Sequence, residues 1–173
     1  MKKLKVAGLL VAAVSLGASA VAQNPDTRPA PEFFRFDFSL KELEGGKLIN
    51  ARNYQLMAKA DENAATSSIR SGGRVPIGGE KGVTYIDVGV NIDVRRVTHI
   101  KDELSLDVIA EVSGTIDGAE GQPRPQTGPP VVRQTRWNSL VLIPIRKPSV
   151  IFASDDPTSK RQMQLEVTAT PIR

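Results

Sequence analysis

The sequence predicts an all-β fold: a single antiparallel β-sandwich-like domain of about eight strands behind a cleaved signal peptide. Two observations predict it. Apolar and polar residues alternate with a period of two over long segments, which places them on opposite faces of a strand. Clusters of glycine and proline separate these segments, as turns do. Because the chain contains no cysteine, packing alone has to stabilise the domain.

The amino terminus has the three regions of a secretory signal peptide. Three lysines precede an apolar run from Val6 to Leu16, and small residues follow it up to Ala22. The run is shorter than the roughly 20 apolar residues that cross a bilayer. We therefore predict a signal peptide over residues 1–22, export to the periplasm or the outer envelope, and a mature chain without a transmembrane helix.

Removal of the signal peptide changes the charge balance. It leaves 151 of the 173 residues and takes away three lysines and no acidic residue. The remainder has 20 basic and 19 acidic side chains, a net charge of +1. Basic residues are scattered among the acids, so the sequence does not indicate nucleic acid as a partner.

The β domain is predicted over residues 33–173, after a flexible Pro-rich lead at 23–32. From Phe33 to Leu40 apolar and polar side chains alternate, and Gly45-Gly46 then separates this run from a second one that ends at Ala60. This pattern predicts a hairpin with a two-glycine turn.

The middle of the domain predicts an edge strand and a long hairpin. Residues 69–77 contain Gly72-Gly73 and Pro76, which favour a bulged or edge strand. Residues 84–113 contain two alternating segments, and we place the turn between them at Arg95–His99. We expect Val90 and Val108 on one apolar face.

The last third of the chain predicts three further strands. Residues 114–130 are rich in glycine and proline and should form an exposed, mobile loop. Strands are expected over 131–145, 149–153 and 161–172, with a turn at Asp155-Asp156-Pro157.

The sequence contains few arrangements of residues that could form a catalytic site. His99 is the only histidine, and no nucleophile-elbow motif accompanies it, so we interpret it as a solvated turn residue. A further set consists of acids on the polar face of the long hairpin, and a solvated sheet face explains them better than a calcium site or a catalytic acid pair. These acids are Asp87, Asp93, Asp107 and Glu111. The sequence therefore indicates no enzyme, no catalytic residue, no metal site and no cofactor.

Arg133, Arg136 and Trp137 are the candidate interaction residues. An exposed indole between two arginines is typical of a binding hot spot. A core position for Trp137 is the favoured interpretation, because aromatic side chains supply much of the buried area of a domain.

The order of several motifs resembles the core of bacterial secretins, the family of type II and type III secretion systems and type IV pili. The resemblance covers residues 69–172. Its segments are Ser71–Pro76, Tyr85–Val94, Leu104–Ser113, Pro130–Arg133 and Leu165–Ile172, which contains the family's terminal Thr-Pro. Arg95-Arg96 stands where the family usually has a proline, and Ala153-Ser154-Asp155 replaces its Gly-Gly-Leu. The resemblance implies a truncated sheet core without the amino-terminal ring domains and without the membrane-inserting segment.

Together these features predict an exported, noncatalytic envelope protein that acts through protein association, as a secretin-like component of a secretion or pilus apparatus. Its partner would be an envelope protein or a second copy, held through sheet edges. A peripheral association with the outer membrane stays open. The alternative is a soluble periplasmic ligand-binding β-sandwich, with a site between the loops at 61–68 and 114–130.

Overall fold

Eight β-strands follow one another along the chain in the computed structural model, which describes residues 32–79, 82–116, 131–157 and 159–172. The strands are β1 (Phe33–Glu44), β2 (Lys47–Lys59), β3 (Ser67–Gly79), β4 (Gly82–Ile100), β5 (Glu103–Ile116), β6 (Val131–Pro144), β7 (Ser149–Asp155) and β8 (Arg161–Ile172). The predicted signal peptide at 1–22 lies outside the described residues, as do the predicted lead at 23–32 except for Glu32, and residues 117–130.

The strands form two antiparallel sheets of four. The first sheet has the order β2-β1-β8-β7 and the second has the order β3-β4-β5-β6. Every strand pair within them is antiparallel. The predicted all-β fold with eight strands is therefore confirmed.

Period-two alternation produces the core between the sheets. On each central strand every second side chain points at the opposite sheet, and these side chains are apolar. Those with no more than 1% exposure include Phe34, Phe36 and Phe38 on β1, Leu165 and Val167 on β8, Ile92 and Val94 on β4, and Leu104, Leu106 and Val108 on β5. Burying side chains of this size contributes about 1.5–3 kcal/mol each, which explains how the domain holds together without disulfides.

The β1–β2 hairpin has the predicted two-glycine turn. Gly45 and Gly46 have φ values of 57° and 81°, and positive φ at both central residues is the requirement of a type I′ turn. Only glycine adopts this conformation without a steric cost. The turn pairs Glu44 with Lys47, and the ladder continues to Phe33 and Lys59 with one irregularity next to Glu42.

The β4–β5 hairpin is confirmed, but the position predicted for its turn is wrong. Val90 and Val108 are both buried in the core, as expected. The turn lies at Lys101-Asp102, because β4 runs on to Ile100. A bulge between Arg95 and Thr98 shifts the register, so that Val97, only 2% exposed, rejoins the core. Alternation read from the sequence breaks at this bulge although the strand continues.

The remaining elements agree with the sequence within a few residues. β3 is an edge strand, as predicted, but its ladder with β4 is regular and contains no bulge. β6 and β8 cover the strands expected at 131–145 and 161–172, and β7 is two residues longer than expected. Asp156 and Pro157 follow β7 as the predicted turn.

Candidate functional site

The candidate interaction residues on β6 do not form one site. Strand alternation turns Arg133 and Trp137 toward the first sheet, whereas Arg136 lies on the outer face opposite Glu111. The Arg133 guanidinium forms an ion pair with the Asp156 carboxylate after β7. Arg133 therefore links the two sheets, and Arg136 stays exposed on the outer surface.

Trp137 belongs to the margin of the core. Its indole is partly buried against the core cluster. The ring stacks on Phe152 of β7, with ring centroids 5.7 Å apart and planes within 5° of parallel. The indole thus packs against the core without belonging to its fully buried side chains, and it supports the β6–β7 side of the sandwich.

A cavity of about 440 Å³ opens between the sheets near Arg133. It lies where the β1–β2 hairpin, the ends of β5 and β6, and the β7–β8 connection come together. Its charged lining side chains are Arg52, Arg133, Arg161, Glu42, Asp155 and Asp156. Gly114 and Thr115 also line it, but no residue of the loop at 61–68 does. Residues 117–130 of the other predicted loop lie outside the described residues, so a site between the two loops stays a prediction.

The acids of the β4–β5 hairpin are each held by a neighbouring polar side chain. Asp87 accepts a hydrogen bond from Arg74 Nε at 3.0 Å, and Glu111 accepts one from Asn91 at 3.4 Å. Asp93 contacts Ser68 Oγ at 2.6 Å and Arg70 Nη2 at 2.7 Å. Within the described part of the chain, no group of three or more histidine and acidic side chains is arranged to hold a metal ion.

The interpretation of Asp107 as a solvated acid is wrong. The residue is 4% exposed, and its Oδ2 lies 2.9 Å from Nη2 of both Arg95 and Arg96. A buried carboxylate needs such partners because the loss of hydration is costly. Arg96 adopts φ 48° at the bulge, which brings two consecutive guanidinium groups onto one carboxylate.

Two carboxyl groups have a pKa below their ordinary value. Burial raises the pKa of Asp93, but the hydrogen bonds from Ser68 and Arg70 and the charges of Arg70 and Arg95 outweigh it, so that the pKa is lowered from 3.8. The hydrogen bond from Lys59 lowers the pKa of Asp61, with a contribution from the backbone N–H of Asn63. Both groups are ionised at neutral pH.

The placement of His99 in a turn is a further error. His99 lies within β4, and its Nδ1 is 2.8 Å from Glu32 Oε2. Its ring meets Phe34 edge-on, with centroids 5.6 Å apart. The contacts tie the start of the described chain to the end of β4, and they provide no nucleophile for an acid–base mechanism.

The second sheet divides at Gly89 into two branches. β4 and β5 pair only from Val90 and Val112 onward, so among the described strands β4 pairs from Gly82 to Gly89 with β3 alone. We call this two-stranded extension, residues 72–79 and 82–89, the β3–β4 ribbon. The only described strand that pairs with the end of β5 is β6. A cavity of about 510 Å³ lies at the division, lined by residues that include Gly73, Val88 and Ser113.

The ribbon begins at a crossing of two glycines. Gly72 and Gly89 stand directly opposite each other. A Cβ on Gly72 would lie 2.0 Å from the Val88 carbonyl oxygen, and one on Gly89 would lie 2.1 Å from the Ser71 carbonyl oxygen. Gly89 also has φ 149°. Only glycine permits this close approach of the two backbones.

The two long edges of the ribbon differ in composition. The outer edge of β3 in the ribbon carries Pro76, four glycines and Arg74, which are features that protect an edge strand from pairing. The free edge of β4 runs through Val83-Thr84-Tyr85-Ile86-Asp87 and contains no proline or basic residue. Val83 and Tyr85 are 60% and 62% exposed. This edge is therefore the one that favours addition of a further strand.

Sequence reasoning missed the division of the sheet and the pairing of Arg95 and Arg96 with Asp107, although signals for both exist. Gly89 is an isolated glycine in a strand of β-branched residues, which is typical of a close backbone approach. Arg95-Arg96 interrupts the alternation of β4 opposite Asp107 on β5, which is typical of a bulge that redirects side chains.

In residues 32–79, 82–116, 131–157 and 159–172 there is no helix of the length and apolarity that a membrane span requires.

Comparison with known proteins gives similarity to solved structures only. No family model matches the chain, and no curated protein matches it in sequence. The Salmonella SPI-1 type III secretion injectisome secretin InvG matches with a TM-score of 0.49 and 10% identity, over 83% of this chain and 64% of that chain. The type II secretion system secretin GspD of E. coli K12 has a TM-score of 0.44 and 12% identity, over 83% and 48%.

XcpQ, the type II secretion system secretin of Pseudomonas aeruginosa, matches with a TM-score of 0.42 and 14% identity, over 83% of this chain and 57% of that chain. The chain thus spans less than two thirds of the length of these proteins. These three solved structures are structures of secretins.

Proposed function

We propose that this chain is an exported, noncatalytic β-sheet protein of the cell envelope that acts through protein association, as a secretin-like component of a secretion or pilus apparatus. The observation that carries the proposal is the open edge of β4 between Gly82 and Gly89, which pairs with no described strand other than β3. The ordered motifs over residues 69–172 support the secretin-like part, and the predicted signal peptide at 1–22 supports export.

The mechanism is addition of a strand. An open edge presents backbone N–H and C=O groups that a further strand can bond, while exposed alternate side chains select the partner. A two-stranded ribbon is marginally stable by itself, so a third strand stabilises it as well as joining the two molecules. The exposed Val83 and Tyr85 side chains supply apolar area for the contact.

A noncatalytic role agrees with the state of the titratable side chains. His99 is engaged by Glu32 and Phe34. The acids of the β4–β5 hairpin are occupied by arginine, serine and asparagine partners. Neither arrangement contains an acid–base pair directed at a substrate cavity.

Size-exclusion chromatography with light scattering on the exported chain, combined with capture from native envelope, tests the proposal. We expect self-association that increases with concentration, or recovery of a defined envelope protein by mass spectrometry. A chain that stays strictly monomeric at high concentration and captures no envelope protein would contradict the proposal.

The cavity beside Arg133 favours the second candidate, a periplasmic ligand-binding sandwich. Its volume of about 440 Å³ suits a small molecule. Thermal-shift measurements with sugars and calcium test this function, because a bound ligand raises the melting temperature by mass action. A shift that Arg52→Ala in the cavity abolishes, and Arg136→Ala on the outer face preserves, would favour this candidate.

A further inference from the structure

We infer that the free edge of β4 pairs with the same edge of a second copy of this chain, in an antiparallel register centred on Ile86. The inference rests on the proposed function and names the site and the partner for it. Such a contact is isologous, since one surface serves both molecules.

The backbone groups available for this pairing follow from one hydrogen bond. The Gly89 N–H donates to Ser113 Oγ at 3.0 Å, so the backbone groups of Gly89 point away from β3. Every second residue of a strand directs its N–H and C=O to the same side, and the β3–β4 register contains no shift. Val83, Tyr85 and Asp87 therefore direct their backbone groups to the free edge, where no described residue accepts or donates to them.

The side chains select the register. A two-fold axis at Ile86 places Ile86 opposite its own copy, Tyr85 opposite Asp87 and Thr84 opposite Val88. The Tyr85 hydroxyl can donate to the Asp87 carboxylate of the second copy, twice in the dimer, and apolar side chains meet at the axis. Moving the axis to Tyr85 instead opposes Val83 to Asp87, which leaves a carboxylate against an apolar side chain.

Charge and space favour the same partner. Arg74 and Asp87 neutralise each other on the ribbon, and both side chains are mostly exposed, so no net charge repels a second ribbon. The cavity of about 510 Å³ at the division of the sheet leaves open volume beside Val88 and Gly89. Asp87, the charged residue of this edge, is already paired with Arg74, so a heterologous partner with a charged strand gains little from it.

Single-cysteine cross-linking tests the register, because the chain contains no cysteine and each variant has one thiol. In the inferred pairing Ile86 faces its copy as a pair without backbone hydrogen bonds, with Cα atoms about 4.5 Å apart, within the range that a disulfide spans. Thr84 lies on the same strand and the same face, but its copy is roughly 14 Å away, from four residues of strand rise. Thr84→Cys is thus the matched control.

We expect Ile86→Cys to form a disulfide dimer of the exported chain about tenfold or more faster than Thr84→Cys, as a preformed contact raises the effective thiol concentration. A mixture of Thr84→Cys and Val88→Cys should give the mixed disulfide. Equal rates for Ile86→Cys and Thr84→Cys, or no disulfide from either, would overturn the inference.

A second measurement does not depend on thiol chemistry. Tyr85→Pro removes a free-edge N–H without removing a bond to β3, so we expect the dissociation constant of the dimer in sedimentation to rise about tenfold or more. An unchanged dissociation constant overturns the inference. Cross-linking through Leu140→Cys on β6 instead, or capture of another envelope protein by the β4 edge, overturns it but leaves the proposed function standing. A monomer that captures nothing removes both.

Discussion

Asp107 shows how one residue can override the pattern of its strand. The alternation of β5 assigns it to the polar face, yet Arg95 and Arg96 cover it and leave 4% of it exposed. A buried carboxylate is tolerated only while its partners remain, because an uncompensated buried charge is costly. Arg95 Nε is itself buried without a partner among the described residues, so part of the gain from the two ion pairs is lost again.

Asp107→Asn should destabilise the domain by about 1–3 kcal/mol, because it removes the charge that both guanidinium groups share while the site stays buried. Urea unfolding of the chain without its predicted signal peptide measures this change. Glu44→Gln is the control: Glu44 pairs with Arg161 in the open, and an exposed ion pair contributes about 0–1 kcal/mol. Equal losses of stability for the two variants would show that the ion pairs of Arg95 and Arg96 with Asp107 add nothing to the stability of the domain.

Asp93 is a second single residue that matters for stability, because it makes the stability of the domain depend on pH. Although burial opposes it, the pKa of Asp93 is lowered from 3.8 by Ser68 and Arg70. A lowered folded-state pKa means that the unfolded chain binds the proton more readily, so the stabilisation is fully present above about pH 4 and is lost as the pH falls through the folded-state pKa. Asp61, also with a lowered pKa, acts in the same direction.

We expect Ser68→Ala to raise the pKa of Asp93 toward its ordinary value, because it removes the hydrogen bond at 2.6 Å to the ionised carboxylate. NMR titration of the Asp93 side-chain carboxyl carbon measures the shift. Ser67→Ala, one residue earlier, removes no hydrogen bond to Asp93 and should leave the titration unchanged. A titration midpoint of Ser68→Ala equal to that of the parent chain would contradict the stated cause.

At the scale of elements, the sequence predicts best where side-chain period and turn chemistry agree. The β1–β2 hairpin was predictable because strict alternation flanks two glycines that the turn requires. The end of β4 was not, because the bulge at Arg96 inverts the alternation that locates a strand on its sheet. The position of β3 at an edge followed from Pro76, whereas the division of the sheet at Gly89 depends on the partners of β4, which no local pattern specifies.

The candidate interaction residues on β6 could likewise be predicted only in part. Trp137 could be assigned to the core from its residue type, but whether Arg133 and Arg136 lie together depends on the face that each takes on β6. Strand register decides this, and a shift of one residue reverses it. The free edge of β4 is a property of sheet order, so it became visible only with the strand pairing.

Gly89→Ala tests the crossing at the base of the ribbon. An added Cβ would lie 2.1 Å from the Ser71 carbonyl oxygen, at a φ of 149° that alanine disfavours, so we expect a loss of about 2 kcal/mol or more. Gly73→Ala is the control, since nothing lies within 4 Å of its added Cβ. Urea unfolding with hydrogen exchange of the ribbon amides measures both, and similar values for the two variants would contradict the crossing.

At the scale of the whole molecule, the described surface offers backbone edges more than it offers charge. In most of its ion pairs the cationic group of an arginine or lysine lies 2.7–3.5 Å from a carboxylate, so that the two charges neutralise each other locally. The chain without its predicted signal peptide is close to neutral. Long-range electrostatic attraction therefore contributes little to association, and strand pairing with apolar contact has to supply the free energy.

Association through the β4 edge should consequently resist salt. Between about 0.05 M and 1 M NaCl the screening length falls several-fold, while backbone hydrogen bonds and apolar burial are little affected, so we expect the dissociation constant in sedimentation to stay within about threefold. Ile86→Lys is the matched control: it places like charges opposite each other at the two-fold axis, weakens association at low salt, and should regain part of it at high salt as the repulsion is screened. Dissociation of the unsubstituted chain at high salt would instead assign the contact to complementary charges elsewhere on the surface.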